Sequence, residues 1–254
     1  MSGKTYLTEC PRDFGVCSLD GGLRFPFRVF LSLSVAPHRL RVLYDVLPNV
    51  CLPCVTNIVL NLPDSFRGQS YDEQMLVDLC KAFPLLYVNR FGTDLGPISK
   101  VLPTRAIAEK PSDVIISIDD DTIYKSHNII ALLQEHLRYP NSIISTIAGP
   151  NIWNLSLHNV NGFTGVLYPR HLLHDGVVHT MLQWTEKFKA CKLHDDMTMT
   201  MAFKKHNINI RGLPNPDLPC QVSAGLQDPN ALFRITNHYW KHPACVWRIW
   251  GLLK

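Results

Sequence analysis

The feature that most limits what this chain can fold into is Val114-Ile115-Ile116-Ser117-Ile118-Asp119-Asp120-Asp121, a β-branched apolar run that ends in three consecutive carboxylates. The run is short, rich in Ile and Val, and preceded by Pro111 and Ser112, which reads as a buried strand. In an α/β protein, ligands bind beyond the carboxyl ends of such strands. Three like charges placed there repel one another unless something positive lies between them. A hard divalent cation that itself holds a phosphate is the natural partner. A solvated acidic turn is the plainer alternative, but turns seldom need three carboxylates at the mouth of a buried strand.

Around this run, apolar strands alternate with amphipathic helices. Phe27 to Val35 alternates like a strand, and Pro37 opens a helix with Leu40, Leu43, Val46 and Leu47 on its apolar face. Val55 to Leu62 is a second strand, Glu73 to Phe83 a helix, and Leu85 to Val88 a third strand. Asp94 to Lys100 forms a turn into a helix reaching about Glu109, kinked or shortened by Pro103. Ser126 is expected to cap a helix carrying Ile129, Ile130, Leu133 and Leu137, and Ser142 to Ala148 is a further strand. This order predicts an α/β fold with a mostly parallel central sheet flanked by helices. From Gly149 onward loops are expected to dominate, mixing Trp153, Gly162, Phe163, Gly165 and Tyr168. That half is read as the wall of a second substrate site on the same domain, and Met197 to Met201 alternates like a strand.

Composition excludes several classes. With 46% hydrophobic and 18% charged residues the chain buries a core and is not disordered. A net charge of +4 tolerates an anionic substrate, but the basic residues are scattered among acids, which argues against nucleic acid. No apolar run approaches the roughly 20 residues of a membrane span. The segment from Trp240 to Lys254 mixes three tryptophans with basic residues and either packs on the domain or makes peripheral membrane contact. The first residues lack a secretory core, so a cytoplasmic location with reduced cysteines is expected, and the sequon at Asn154 is expected to stay bare. Cys51 and Cys54 have metal or redox spacing, but no second pair completes a zinc site.

Ser117-Ile118-Asp119-Asp120-Asp121, the upstream Gly96-Pro97-Ile98-Ser99-Lys100, the later Phe163-Thr164-Gly165-Val166-Leu167-Tyr168-Pro169 and then His194-Asp195-Asp196 occur in that order. Over residues 27 to 215 this resembles a GT-A type glycosyltransferase of the family 2 kind. It is similar to small single-domain examples from bacteria and large algal viruses, whose setting would be a host cytoplasm. The resemblance implies a single Rossmann-like domain, with a nucleotide-sugar half over 27–148 and an acceptor half with a C-terminal tail over 149–254. It also implies Mn²⁺ or Mg²⁺ as cofactor, a UDP- or GDP-linked sugar as donor and a glycan or glycoprotein as acceptor.

Carried over by position, Asp121 would be the direct metal ligand, and Asp119 would face the ribose or share the metal. Asp120 would do either. On an extended chain Asp119 and Asp121 should converge while Asp120 turns away. Lys100, at the expected start of a helix, would contact the nucleotide or its diphosphate, with Arg105 a second basic candidate. In the acidic pair, Asp196 would be the general base and Asp195 its support, placed at the start of a helix. Gly165 lies in the loop between donor and acceptor, and Trp153, Phe163, Tyr168 and Trp184 are aromatic candidates for the acceptor. His238 or His242 would add a metal ligand from the C-terminal segment. The leading expectation is an inverting transferase. A retaining transferase, a sugar-phosphate nucleotidyltransferase and an inactive nucleotide- or glycan-binding module are the other classes this pattern admits.

Overall fold

The computed structural model describes residues 25–148, 150–151, 154–158, 160, 162–188, 191, 195–214 and 220–221. The Asp119–Asp121 stretch leaves the fourth of seven strands in one sheet. The strands are β1 (Val29–Ser34), β2 (Asn57–Pro63), β3 (Leu86–Phe91), β4 (Val114–Ser117), β6 (Ser142–Ser145), β9 (Val166–Pro169) and β10 (Asn209–Gly212), in spatial order β10-β6-β9-β4-β1-β2-β3. Only β9 runs antiparallel to its neighbours, pairing with β4 through Ile115↔Tyr168 and with β6 through Ile144↔Leu167. The sheet is therefore mostly parallel, as the alternation of strands and helices predicts. Two short pairs lie outside it: β5 (Thr122–Ile123) with β11 (Cys220–Gln221), and β7 (Pro150–Asn151) with β8 (Asn154–His158).

Side chains on successive strand residues go to opposite faces, and the two cores divide accordingly. Leu31 and Leu33 of β1, Ile58 and Leu60 of β2 and Ile116 of β4 pack on one side. That side is closed by Leu40, Leu43 and Leu47 of the helical stretch after β1, by α2 (Glu73–Ala82) and by α4 (Ser126–Arg138). Within the stretch, 3₁₀ turns at Pro37–Val42 and Leu47–Asn49 flank a single α-helical turn, α1 (Leu43–Val46), where one helix was expected. Phe30, Val59 and Ile115 point to the other side, against α3 (Leu102–Ile107), α5 (Asp175–Lys187) and α6 (Asp195–Lys205).

Three sequence expectations change here. Among the described residues after 149 loops do not dominate, because α5 and α6 pack with α3 on one face of the sheet. Met197 to Met201 is helical, not a strand. Met197 through Phe203 are all buried, so α6 has no polar face to impose a helical period on its sequence. Its threonines are satisfied within the core: Thr198 Oγ1 donates to the Cys191 carbonyl at 3.0 Å, and Thr200 Oγ1 accepts the Val160 N–H at 3.1 Å. Finally, Lys125 and not Ser126 caps α4, its N–H donating to the Asn128 side chain at 3.1 Å.

Cys51, Cys54 and Cys80 carry thiols, whereas the buried Cys191 is disulfide-bonded, against the expectation of reduced cysteines throughout. Among the described residues no helix is long and apolar enough to cross a membrane.

One polar knot interrupts the second core. Asn61 of β2 donates to Ser32 Oγ of β1 at 3.0 Å and to Thr104 Oγ1 of α3 at 2.7 Å, and its Oδ1 accepts from Asn89 at 2.8 Å. The Ser32 hydroxyl in turn donates to the carbonyl of Lys100. Ser32, Asn61 and Thr104 are buried, so each needs these partners. The knot thus ties the Gly96–Lys100 3₁₀ turn to the centre of the sheet. Asn61→Ala should destabilise the fold by about 1–3 kcal/mol through the groups it leaves unsatisfied. Urea unfolding measures this, and an unchanged midpoint would mean that the knot is dispensable.

Candidate active site

In this topology β2 lies on one side of β1 and β4 on the other, which makes the gap between the β1 and β4 ends a switch point where α/β proteins bind ligands. The 3₁₀ turn after β1 brings Arg39 to that gap, and the loop after β4 brings the three carboxylates. The chain is extended only as far as Ser117, and Asp120 and Asp121 sit in a turn before β5. Strand alternation therefore does not govern the triplet, and the expected convergence is reversed. Asp120 Oδ1 and Asp121 Oδ2 converge on Arg39 Nη2, at 2.9 and 2.7 Å, while Asp119 turns to Lys100. The Asp119 N–H donates to the buried Tyr124 hydroxyl at 2.9 Å, which fixes the start of the loop.

Lys100 does not stand at an exposed helix start. It ends the Gly96–Lys100 3₁₀ turn, is 8% exposed, and reaches Asp119 Oδ1 at 3.1 Å and Asp195 Oδ2 at 2.9 Å. Burial works to lower its pKa, but Asp119, Asp195 and Asp196 outweigh that and hold the ammonium well above its ordinary value. Asp195 and Asp196 open α6, where the N-terminal end of a helix favours carboxylates. Asp196 Oδ1 accepts the Gly162 N–H at 3.0 Å. A Cβ at Gly162 would stand 2.6 Å from both Asp196 Oδ1 and Lys100 Nζ, so a side chain there would have to push these two charged ends from their present positions.

Two of these carboxyls are displaced upward to about 7. For Asp196 the cause is burial, then Asp195, with Lys100 and the Gly162 N–H opposing. For Asp120 it is burial, opposed by Arg39 and reinforced by Asp121 and Asp119. Groups so perturbed at the mouth of a sheet have the properties of functional residues.

The structure thus brings Lys100, Asp119, Asp120, Asp121, Asp195 and Asp196 together, and it leaves other candidates apart. Arg105 lies one position round α3 from Thr104, donates to the Leu173 carbonyl and pairs with Asp175 at the start of α5. Tyr168 is fully buried on β9 against Phe203, with its ring centroid 6.0 Å away, so its face is not available to a sugar. Trp184 is core of α5, capped by Lys205 Nζ at 5.4 Å from its ring. Gly165 has φ +95 and supports the turn into β9, its N–H donating to the Gly162 carbonyl at 3.2 Å. Trp153, the Phe163 side chain, His194, His238, His242 and the C-terminal tail lie outside the described residues.

Sequence reasoning missed Arg39, which carried no signal beyond its position two residues after Pro37. It also missed the knot, although an Asn inside Ile58-Val59-Leu60-Asn61-Leu62 was a visible one. A cavity of about 380 Å³ lined by Arg41, Tyr44, Asp72, Gln74, Met75 and Asp78 contains none of these groups, and the chemistry is not there.

No family model and no curated protein sequence matches this chain, so nothing supports the algal-virus kinship. Solved structures do share its fold. The mannosyltransferase PcManGT from Pyrobaculum calidifontis, in complex with GDP-Man and Mn²⁺, matches with a TM-score of 0.57 at 15% identity over 88% of this chain and 65% of that one. Residues 1–349 of TarS from S. aureus match with a TM-score of 0.52 at 12% identity over 85% of this chain and 68% of that one. The chain spans less than two thirds of the mannosyltransferase's length. At such identities the likeness establishes the fold: a mixed α/β, Rossmann-like architecture of the kind found in a glycosyltransferase.

The raised Asp196 pKa has a consequence for stability. An acid whose folded pKa exceeds its unfolded value stabilises the fold while protonated, and that contribution is lost as pH rises through about 7. Asp196→Asn should therefore raise Tm relative to the unsubstituted protein at pH 8, with the gain shrinking toward pH 4. Thermal unfolding at both pH values reads this, and a gain independent of pH would contradict the burial of that charge.

Proposed function

We propose that this chain is a metal-dependent glycosyltransferase that moves a sugar from a nucleoside-diphosphate sugar to a glycan hydroxyl with inversion at the anomeric carbon. The observation that carries the proposal is Lys100, which joins the triplet after β4 to the acidic pair of α6 in one cluster. A donor held by the first and an acceptor facing the second would meet across it. The mannosyltransferase of like fold is in complex with GDP-Man and Mn²⁺, which supports a GDP-linked donor and Mn²⁺, with a UDP-linked donor and Mg²⁺ as the alternatives.

The residues fit such a cation. Asp120 and Asp121 aim two hard oxygens at a single point, and Mg²⁺-type sites commonly use one or two carboxylates with the remaining positions left to water and phosphate oxygens. Among the described residues no group of three His, Cys, Asp or Glu assembles, so Asp120 and Asp121 are the proposed protein ligands and Asp119 is assigned to Lys100 and the donor's ribose. When bound, the metal would offset the charge that builds on the diphosphate leaving group.

The remaining steps belong to the chain. Asp196, its Oδ1 held by the Gly162 N–H, takes the proton of the acceptor hydroxyl on Oδ2 as that oxygen attacks. A pKa near 7 suits a base that must be ionised before the attack and able to hold the proton after it. Lys100 favours the ionised carboxylates on both sides and keeps Asp195 in place beside the base.

A panel of GDP- and UDP-sugars with Mn²⁺, read as released nucleoside diphosphate, tests this reading. Release should require metal and be abolished by Asp121→Asn. The rate should fall as pH drops below about 7, where Asp196 gains its proton. Asp196→Asn should lower kcat by roughly 10²–10⁴-fold, the usual contribution of a general base, and remove that pH limb. Release unaffected by chelation or by Asp121→Asn would refute the metal assignment, and absence of release from every donor would refute the function.

A further inference from the structure

The point on which Asp120 and Asp121 converge is held by a side chain. Arg39 Nη2 lies 2.9 Å from one carboxylate and 2.7 Å from the other, with Arg39 15% exposed and the two acids 11% and 10%. Ion pairs this sheltered are screened weakly by solvent. Arg39 and a divalent cation therefore need the same two oxygens.

We propose that Arg39 is a built-in competitor for the divalent cation. It neutralises Asp120 and Asp121 until the cation displaces it, and the displaced guanidinium then serves the donor's diphosphate. This rests on the metal site assigned above. Displacement means that the cation alone must break two buried ion pairs to bind. A nucleoside diphosphate arriving with the cation changes the balance, because it brings oxygen ligands for the cation and an anionic partner for Arg39. A planar guanidinium is well matched to phosphate oxygens. Cation and nucleotide should consequently bind with positive coupling, each strengthening the other.

The 3₁₀ turn that carries Arg39 suits this exchange. Arg39 follows Pro37 directly after β1, and the buried Leu40 beside it anchors the backbone. The side chain can therefore turn between partners while the main chain stays fixed by the core.

The test is direct Mn²⁺ binding by calorimetry to the full chain, Arg39→Met and Arg39→Lys, with and without GDP or UDP. Without nucleotide, Arg39→Met should bind Mn²⁺ roughly tenfold more tightly, within the range usual for coupled sites, with Arg39→Lys between it and the unsubstituted protein. The strengthening of Mn²⁺ binding by nucleotide should be smaller in Arg39→Met. As a measurement that needs no variant, the Arg39 Nε–H resonance should move as the diamagnetic Mg²⁺ saturates the protein. Equal or weaker Mn²⁺ binding by Arg39→Met, or an unmoved Arg39 resonance at saturation, would overturn the competitor role and leave the metal site standing. Absence of Mn²⁺ binding in every variant, with and without nucleotide, would overturn both.

Discussion

The site depends on one buried cation. Lys100 would be costly to bury alone, and it is stable where it lies because Asp119 and Asp195 meet it from two different elements. The reverse also holds: without the ammonium, the carboxylates of the β4 loop and of α6 would face one another across a low-dielectric gap and repel. Lys100 therefore sets the distance between the two halves of the site. The Ser32–Asn61–Thr104 knot transmits that position to the sheet, since Ser32 holds the Lys100 carbonyl. Gly162 completes the arrangement, being small enough to pass beside both Lys100 and Asp196.

Charge balance explains much of the local geometry. Three adjacent carboxylates were expected to need an external cation, yet the fold supplies two cations of its own, Arg39 for Asp120 and Asp121 and Lys100 for Asp119. The protein can thus fold with the triplet neutralised and exchange one of these partners when ligand arrives. The two cations differ in surroundings. Lys100 is enclosed by the knot and α6, which suits a fixed strut, whereas Arg39 sits on a short turn at the sheet's end, which suits a movable one.

The main strands up to Ser145 and the acidic clusters were legible because they rest on local patterns: β-branched runs, helical faces and carboxylates where a strand stops. The placement of Asp195 and Asp196 at a helix start was legible only through the resemblance, since Met197 to Met201 alternates like a strand. A helix buried all round erases the periodicity that would announce it. Tyr168 and Trp184 misled because an aromatic residue has the same sequence appearance whether it stacks on a sugar or fills a core. The partner of the triplet was illegible for a different reason. Arg39 and Asp121 are far apart in sequence and meet only because β1 and β4 are neighbours, a fact of topology that no local pattern encodes.

If the β4 loop and the start of α6 are two sides of a single ligand site, one ligand must perturb both. Titrating ¹⁵N-labelled protein with a nucleoside diphosphate and Mg²⁺, and following the amides of Asp119 to Asp121, Gly162 and Asp196, tests this most directly. Both groups of resonances should shift together along one saturation curve. Shifts confined to one group, or two groups saturating at different concentrations, would contradict it.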